Sequence, residues 1–276
     1  MFGLAILFGA VVGFALGLTG GGGGVFAVPL LVYGLSVAPR EAVGVSLASV
    51  GGTALFGVTP RLFRGEVELR TGLLFAIAGM IGAPIGNYLS GLIPENVLLI
   101  LFGLLMFVVA WRMWAKSRQA ATAKPASDPV AKETCEPSTC QRDQDGRLRL
   151  TSKCAVLLAG VGLMTGVLSG MFGVGGGFVI VPALVLFSGM AIHQAVATSL
   201  MVIVLVSISG VSSYVSSGSE LSWQLVLQFM IGGFAGMWVG GLVAKRLKGA
   251  TLQKVFASGV ILVAIFVISK SMLLTN

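Results

Sequence analysis

The segment Gly17–Leu47 reads GLTGGGGGVFAVPLLVYGLSVAPREAVGVSL, and Gly170–Leu200, which lies 153 positions later, reads GMFGVGGGFVIVPALVLFSGMAIHQAVATSL. Fourteen of the 31 aligned positions are identical, without a gap. The identities include Gly20 with Gly173, Gly22 with Gly175, Gly23 with Gly176, Gly24 with Gly177, Pro29 with Pro182 and Ser46 with Ser199. Self-similarity at a fixed offset is the signature of an internal repeat.

The repeat covers most of the chain. After one inserted residue the match resumes with these pairs: Gly82 with Gly236, and Gly86 with Gly240. We therefore divide the chain into a first membrane repeat over residues 2–111, a polar linker over 112–153 and a second membrane repeat over 155–268.

The composition places both repeats in a membrane. Of the 276 residues, 56% are hydrophobic and only 10% are charged, whereas about a quarter of the residues of a soluble domain are charged. Several apolar runs approach or exceed the roughly 18 residues of a spanning helix, and they do not alternate as the strands of a β-barrel do. The sequence predicts an all-α polytopic membrane protein. Its net charge of +8 is read as topology-setting loop charge, not as a nucleic-acid surface.

The distribution of basic residues predicts that the two repeats face opposite ways. The linker 112–153 holds nine Lys and Arg residues, which predicts a cytoplasmic position. The loop 60–70 holds three arginines, and its equivalent 216–223 has no basic residue. The next loop, near 94–95, has none, whereas its equivalent carries three at 245–248. Equivalent loops on opposite sides are the mark of an inverted-topology repeat.

Inversion requires an odd number of crossings in each half. Three spans follow the glycine-rich segment, so Phe2–Leu35 must enter the membrane and return. Its second arm reaches only about 20 Å, which is shorter than a bilayer. Each repeat is therefore predicted to be a glycine-rich hairpin of two short helices followed by three spanning helices. Met1–Leu18 is interpreted as a retained helix, not as a signal peptide, and both termini are expected outside the inner (plasma) membrane.

The two glycine hairpins are the predicted substrate site. Inversion brings them together from opposite leaflets near the midplane, where inverted-repeat transporters bind substrate. Backbone N–H groups at the start of the following helices can hold an anion. The candidate residues are Thr19, Gly20, Gly22, Gly23, Gly24, Gly173, Gly175, Gly176 and Gly177. The alternative is that these glycines only permit tight helix packing.

Hydroxyl groups near the hairpins are a second set of candidates. Ser46 and Ser199 occupy matched positions, with Ser49 and Thr198 nearby. Their hydroxyls can donate hydrogen bonds to the oxygens of an anion. Alternatively, each hydroxyl donates to a carbonyl of its own helix.

Arg40 and the only histidine, His193, are repeat equivalents at predicted opposite mouths of the pathway. A cation at such a mouth could attract an anion. They could equally be loop charges at the ends of helices.

Several kinds of chemistry have no candidate residues. No Asp or Glu lies in the middle of a predicted span, although sites for cations and proton relays usually need one. The sequence shows no nucleotide-binding lysine motif, metal-ligand cluster or nucleophile with a base, so no enzyme activity, metal or cofactor is predicted. Cys135 and Cys140 lie in the predicted cytoplasmic linker, where thiols stay reduced. A role in handling metal or sulfur, or no role, is open for them.

The motifs resemble a known family. GLTGGGGGVFAVPLL and GMFGVGGGFVIVPAL, each followed by Ala-x-(Arg/His)-(Glu/Gln)-Ala-Val-x-x-Ser-Leu, resemble the sulfite exporter TauE/SafE family, also called the toluene sulfonate uptake permease family. The resemblance implies a bacterial or archaeal inner-membrane permease that moves sulfite, thiosulfate or organosulfonate anions without ATP. A permease for a carboxylate or other anion and a membrane scaffold without substrate are the alternatives. Direction, coupling ion and oligomeric state stay open.

Overall fold

The protein is helical throughout the part that the computed structural model describes, which comprises residues 2–95, 97–107, 152–190, 192–219, 221–244 and 263. The helices of the first half are α1 (Phe2–Thr19), α2 (Gly24–Pro29) with a π-helical continuation (Leu30–Gly34), α3 (Pro39–Phe63), α4 (Leu69–Leu92) and α5 (Val97–Phe107). Those of the second half are α6 (Ser152–Phe172), α7 (Gly177–Ser188), α8 (Ile192–Ser216) and α9 (Trp223–Ala244).

Five of these helices are long and apolar enough to cross a membrane, namely α3, α4, α6 from Cys154, α8 and α9. This confirms the prediction of an all-helical membrane protein. The predicted third span of the first half is described only as α5 (Val97–Phe107), and that of the second half lies outside the described residues apart from residue 263.

The two arms of each hairpin differ more in length than the sequence indicated. Their second arms are short, since α7 has 12 residues and would extend only about 18 Å. Their first arms are longer, with 18 residues in α1 and 21 in α6. The expectation of two short helices is therefore wrong for α6, whose apolar length reaches that of a span.

The helix boundaries follow the sequence repeat. The first arms end at Thr19 and Phe172, and the second arms begin at Gly24 and Gly177, in both cases 153 positions apart. The same offset relates the whole of α3 to α8. Local sequence explains part of this: Pro39 lies in the first turn of α3, where its missing N–H has no helical partner, and Glu41 favours the same helix end.

The equivalent helices α3 and α8 form the buried centre and run antiparallel. Along their contact, Gly44 lies against Tyr214, Gly51 against Ser207 and Gly57 against Leu200. The numbers rise in one helix as they fall in the other. Most of each helix is buried inside the protein.

The outer helices exchange partners between the halves. Helix α1 runs parallel to α9, and α4 runs parallel to α6. Glycines allow these backbones to touch, as a methyl group built at Gly13 would lie 1.9 Å from the carbonyl oxygen of Gly233. At the second interface, a methyl group on Gly166 would lie 2.2 Å from the carbonyl oxygen of Gly79. Such close approach is how helices associate tightly in lipid, where apolar burial alone gives little.

Candidate functional site

Each hairpin turns at a glycine in the left-handed region. Gly20 has φ +74° and donates its N–H to the carbonyl of Leu16 at 2.7 Å. Gly173 has φ +70° and donates to the carbonyl of Ser169 at 2.8 Å. Only glycine adopts this conformation without steric cost, so this matched pair ends α1 and α6 in the same way.

The two hairpins meet directly. A methyl group built at Gly177 would lie 2.4 Å from Cα of Gly21, and one built at Gly24 would lie 2.1 Å from the carbonyl oxygen of Val174. The two contacts are equivalent by the repeat, because Gly21 aligns with Val174 and Gly24 with Gly177. All glycines of both turns are buried. The two hairpins are therefore in direct backbone contact.

Matched serines connect each central helix to the hairpin of the other half. Ser46 on α3 donates its hydroxyl to the carbonyl of Gly173 at 2.6 Å. Ser199 on α8 donates to the carbonyl of Gly20 at 2.7 Å, and also lies 2.9 Å from the carbonyl of Val196. The acceptors are the two left-handed glycines. In this conformation both serine protons are thus used by the protein.

The other predicted hydroxyls are also engaged in hydrogen bonds within the protein. Ser49 donates to the carbonyl of Val45 in its own helix at 2.7 Å, as the alternative interpretation proposed. Thr198 accepts the N–H of Glu68, just before α4, at 3.0 Å. Thr19 donates to the carbonyl of Ala15 at 2.7 Å and accepts the N–H of Gly22 at 2.9 Å.

The two turns differ where Thr19 has no counterpart. Its equivalent is Phe172, which has no hydroxyl. Two further glycines of the second turn, Gly175 and Gly176, have φ +69° and +67°, whereas Gly23, the equivalent of Gly176, is right-handed with φ −59°. A side-chain hydrogen bond shapes the first turn, and left-handed glycines shape the second.

Four buried backbone donors lie where the hairpins meet. The N–H groups of Gly23, Gly24, Gly176 and Gly177 donate to no acceptor in the described part of the chain. They lie at the starts of α2 and α7, where helical N–H groups have no partner within the helix. Buried donors of this kind are suited to the oxygens of an anion.

Arg40 and His193 have unlike surroundings despite their equivalence. The Arg40 guanidinium donates to the carbonyl of Gly91 at 2.9 Å and lies 3.5 Å from that of Ile93, so it caps the C-terminal end of α4. His193 is exposed in the first turn of α8.

Sulfur and metal ligands play no visible part in this site. Within the described ranges, no group of three His, Cys, Asp or Glu side chains is arranged to hold a metal ion. Cys154 is buried and disulfide-bonded. Cys135 and Cys140 lie outside the described residues.

Sequence reasoning missed a groove of about 300 Å³ between α3, α9 and the end of α1. Arg61 and Arg64 lie in its wall, together with Phe56, Phe234 and Trp238. The two arginines had been interpreted as topology charges only. The one available signal was their spacing of three residues, which places them on one face of a helix end.

Comparison with known proteins identifies the family. Residues 5–267 match the family described as "Sulfite exporter TauE/SafE". A "Probable membrane transporter protein" of Xylella fastidiosa is 35% identical over 266 residues, which cover 95% of this chain and 93% of that protein. "Probable membrane transporter protein YunE" of Bacillus subtilis is 28% identical, with 95% of each chain covered.

A third relative, from Haemophilus influenzae, is 27% identical, covers 95% of this chain and 96% of its own length, and is also described as "Probable membrane transporter protein". No solved structure matches the chain significantly. The family resemblance of the paired glycine motifs is thus confirmed, and the chain belongs to the TauE/SafE sulfite exporter family of membrane transporters.

Proposed function

We propose that the protein is a secondary transporter for a small sulfur-containing oxyanion such as sulfite, thiosulfate or an organosulfonate. The observation that carries the proposal is the meeting of two helix starts whose glycine N–H groups lack acceptors within the described chain. Donors held in a buried, fixed arrangement favour an anion over a cation. Family membership supports transport as the activity.

The proposal includes an inverted arrangement of two repeats, residues 2–111 and 155–268, joined by the linker 112–153. The antiparallel contact between the equivalent helices α3 and α8 supports it. The exchange of partners, α1 with α9 and α4 with α6, supports it as well. The basic residues favour an inner-membrane protein with a cytoplasmic linker and both termini outside.

Transport then requires the hairpins to separate. In the conformation described, the hairpin backbones touch where Gly21 meets Gly177 and Gly24 meets Val174, and both serine hydrogen bonds are formed. We propose that substrate enters when one hairpin moves away from the opposite central helix, which breaks one serine bond and leaves the other intact. Since each half contributes one such bond, the repeat relates the two open states to each other, as expected for alternating access in an inverted-repeat transporter.

The neutral lining of this route suits an anion without a bound counter-cation. In the five described spans, the only carboxylate is Glu41, in the first turn of α3. Charged side chains deep in a span usually mark cation or proton pathways. The described part of the chain supplies backbone dipoles and hydroxyls at this depth.

Flux measurements test the function. The purified protein in liposomes is expected to move radiolabelled sulfite, thiosulfate or a sulfonate, and to move a dicarboxylate of similar size much more slowly. Faster dicarboxylate transport would overturn the substrate class and favour the carboxylate permease. If a folded preparation, judged by a sharp thermal transition, moves no anion of the panel, the scaffold interpretation replaces transport.

A further inference from the structure

A groove with a basic end lies outside the hairpins, between α3 and α9. Its floor comes from Gly17 and Gly57, and its basic end from Arg61 and Arg64. Arg64 is exposed, whereas Arg61 is partly buried. The groove therefore presents one sheltered cation and one accessible cation a helical turn apart.

The Arg61 side chain is incompletely paired. Its Nη1 atom is buried and has no hydrogen-bond partner within the described residues. The Glu66 carboxylate interacts electrostatically with the Arg61 guanidinium, and its backbone N–H donates to the Arg61 carbonyl at 3.1 Å, but neither contact provides a hydrogen-bond acceptor for Nη1. A buried guanidinium nitrogen without an acceptor is costly. The buried Nη1 can therefore take an acceptor that comes from outside the protein.

The remaining walls of the groove are hydrocarbon that faces outward. Trp238 is 72% exposed, Phe234 51% and Phe56 49%. The two phenylalanine rings pack edge to face with centroids 4.9 Å apart. They continue a stripe of exposed apolar residues along α9: Leu227, Ile231, Phe234, Trp238 and Leu242. In a membrane protein such a stripe lies against acyl chains.

The equivalent groove of the other half is built differently. Arg61 corresponds to Tyr214 and Arg64 to Ser217, so α8 supplies no cation there, and the nearby cation is Arg40, which lies close to Tyr214 and donates to the end of α4. Asn87 donates there to Ser213 at 3.2 Å and lies 3.4 Å from Ser217. This interface thus has one arginine from the start of α3, whereas the α3–α9 groove has two from the end of α3. Arg61 and Arg64 lie on the side with the basic loops.

We propose that the α3–α9 groove binds the phosphate headgroup of an anionic phospholipid. Arg61 and Arg64 hold the phosphate oxygens, for which guanidinium groups are well suited. One acyl chain lies along Phe56, Phe234 and Trp238. Basic pockets between helices at the cytoplasmic side of a membrane are suited to such headgroups. A free oxyanion would satisfy the arginines but leave the exposed aromatic wall unused.

The fluorescence of Trp238, which lies in the groove, allows lipid binding to be measured. The full-length protein is placed in bilayers of brominated phosphatidylcholine or of brominated phosphatidylglycerol, and quenching of its tryptophan emission gives relative lipid affinity. Phosphatidylglycerol is expected to quench more strongly, and the preference should fall about tenfold in the double variant Arg61→Gln, Arg64→Gln, as loss of charge-assisted bonds implies. Arg70→Gln, which changes a neighbouring arginine outside the groove, should keep the preference. Trp238→Phe should remove the part of the quenching that depends on phosphatidylglycerol.

Two results would overturn the proposal. One is equal quenching by the two lipids, or a preference that survives in the double variant. The other is full reversal of the preference by millimolar sulfite or inorganic phosphate, which would make the groove a site for free anions. Since lipid affinity is measured without flux, failure here leaves the transport proposal standing, and a protein without flux could still bind the lipid.

Discussion

At the scale of single residues, the matched serines show what sequence could and could not indicate. Alignment of the repeats predicted that Ser46 and Ser199 occupy equivalent, important positions near the hairpins. It could not predict their acceptors, Gly173 and Gly20, because those contacts join segments more than a hundred residues apart. Arg40 is similar: its position at a helix end was foreseen, but its bond to the end of α4 depends on tertiary packing.

Replacement of either serine should disturb the hairpins. Ser46→Ala leaves the buried carbonyl of Gly173 without its donor, and Ser199→Ala does the same to Gly20, each at a cost of about 1–3 kcal/mol. We expect a lower midpoint of thermal unfolding and a changed initial rate of anion flux in both variants. Ser49→Ala is the matched control, since that equally buried hydroxyl bonds within its own helix. Indistinguishable behaviour of all three variants would contradict a special role for the cross-repeat bonds.

At the scale of helices, glycine spacing predicted close packing but not the partners. The sequence showed glycines four apart at Gly82 and Gly86 and at Gly236 and Gly240. In the structure, the first pair lies on α4 and packs against α6, and the second pair lies on α9 and packs against α1. Hydropathy finds helices because burial in lipid is a local property of a segment. Which helix lies beside which depends on the fit of two surfaces, and this fit leaves no mark in one segment alone.

The contact between the hairpins predicts a sharp difference among glycine variants. Gly24→Ala would drive a methyl group into the carbonyl of Val174 in the opposite hairpin, at 2.1 Å, so we expect transport to be abolished while membrane insertion is retained. In Gly23→Val, the new Cβ would instead lie 2.3 Å from the carbonyl oxygen of Val12 in α1. This variant should therefore distort its own hairpin.

Gly160→Ala on α6 is the control for these variants, because its methyl group would meet nothing within 4 Å. Alanine there should be neutral or slightly stabilising, since it favours helix more than glycine does. Flux and thermal unfolding are measured for the three proteins in parallel. Wild-type flux in Gly24→Ala would show that close hairpin contact is not needed for transport.

At the scale of the whole molecule, the repeat was the most informative feature of the sequence. Its offset of 153 matches the ends of α1 and α6 and the full extents of α3 and α8. The sequence could not predict that the halves interlock, with the first hairpin arm α1 packed on α9 of the second half and the hairpin arm α6 packed on α4 of the first half. Because of this interlocking, any movement of a hairpin changes its contacts with a helix of the other half.

The proposed opposite orientation of the two halves can be tested by labelling cysteines from one side of the membrane. Arg64 and Ser217 are repeat equivalents. Each is exposed and directly follows the end of its helix, α3 or α8. Because α3 and α8 run antiparallel, and because three arginines lie near the first position and none near the second, the two sites should face opposite sides of the membrane. In a cysteine-free background, a membrane-impermeant maleimide added to intact cells should label Ser217→Cys but not Arg64→Cys. Both should react after permeabilisation, and a cysteine kept only at Cys135 should behave like Arg64→Cys. Labelling of Arg64→Cys and Ser217→Cys from the same side would exclude inversion, because a chain whose equivalent helix ends share one face of the bilayer cannot place its two hairpins in opposite leaflets.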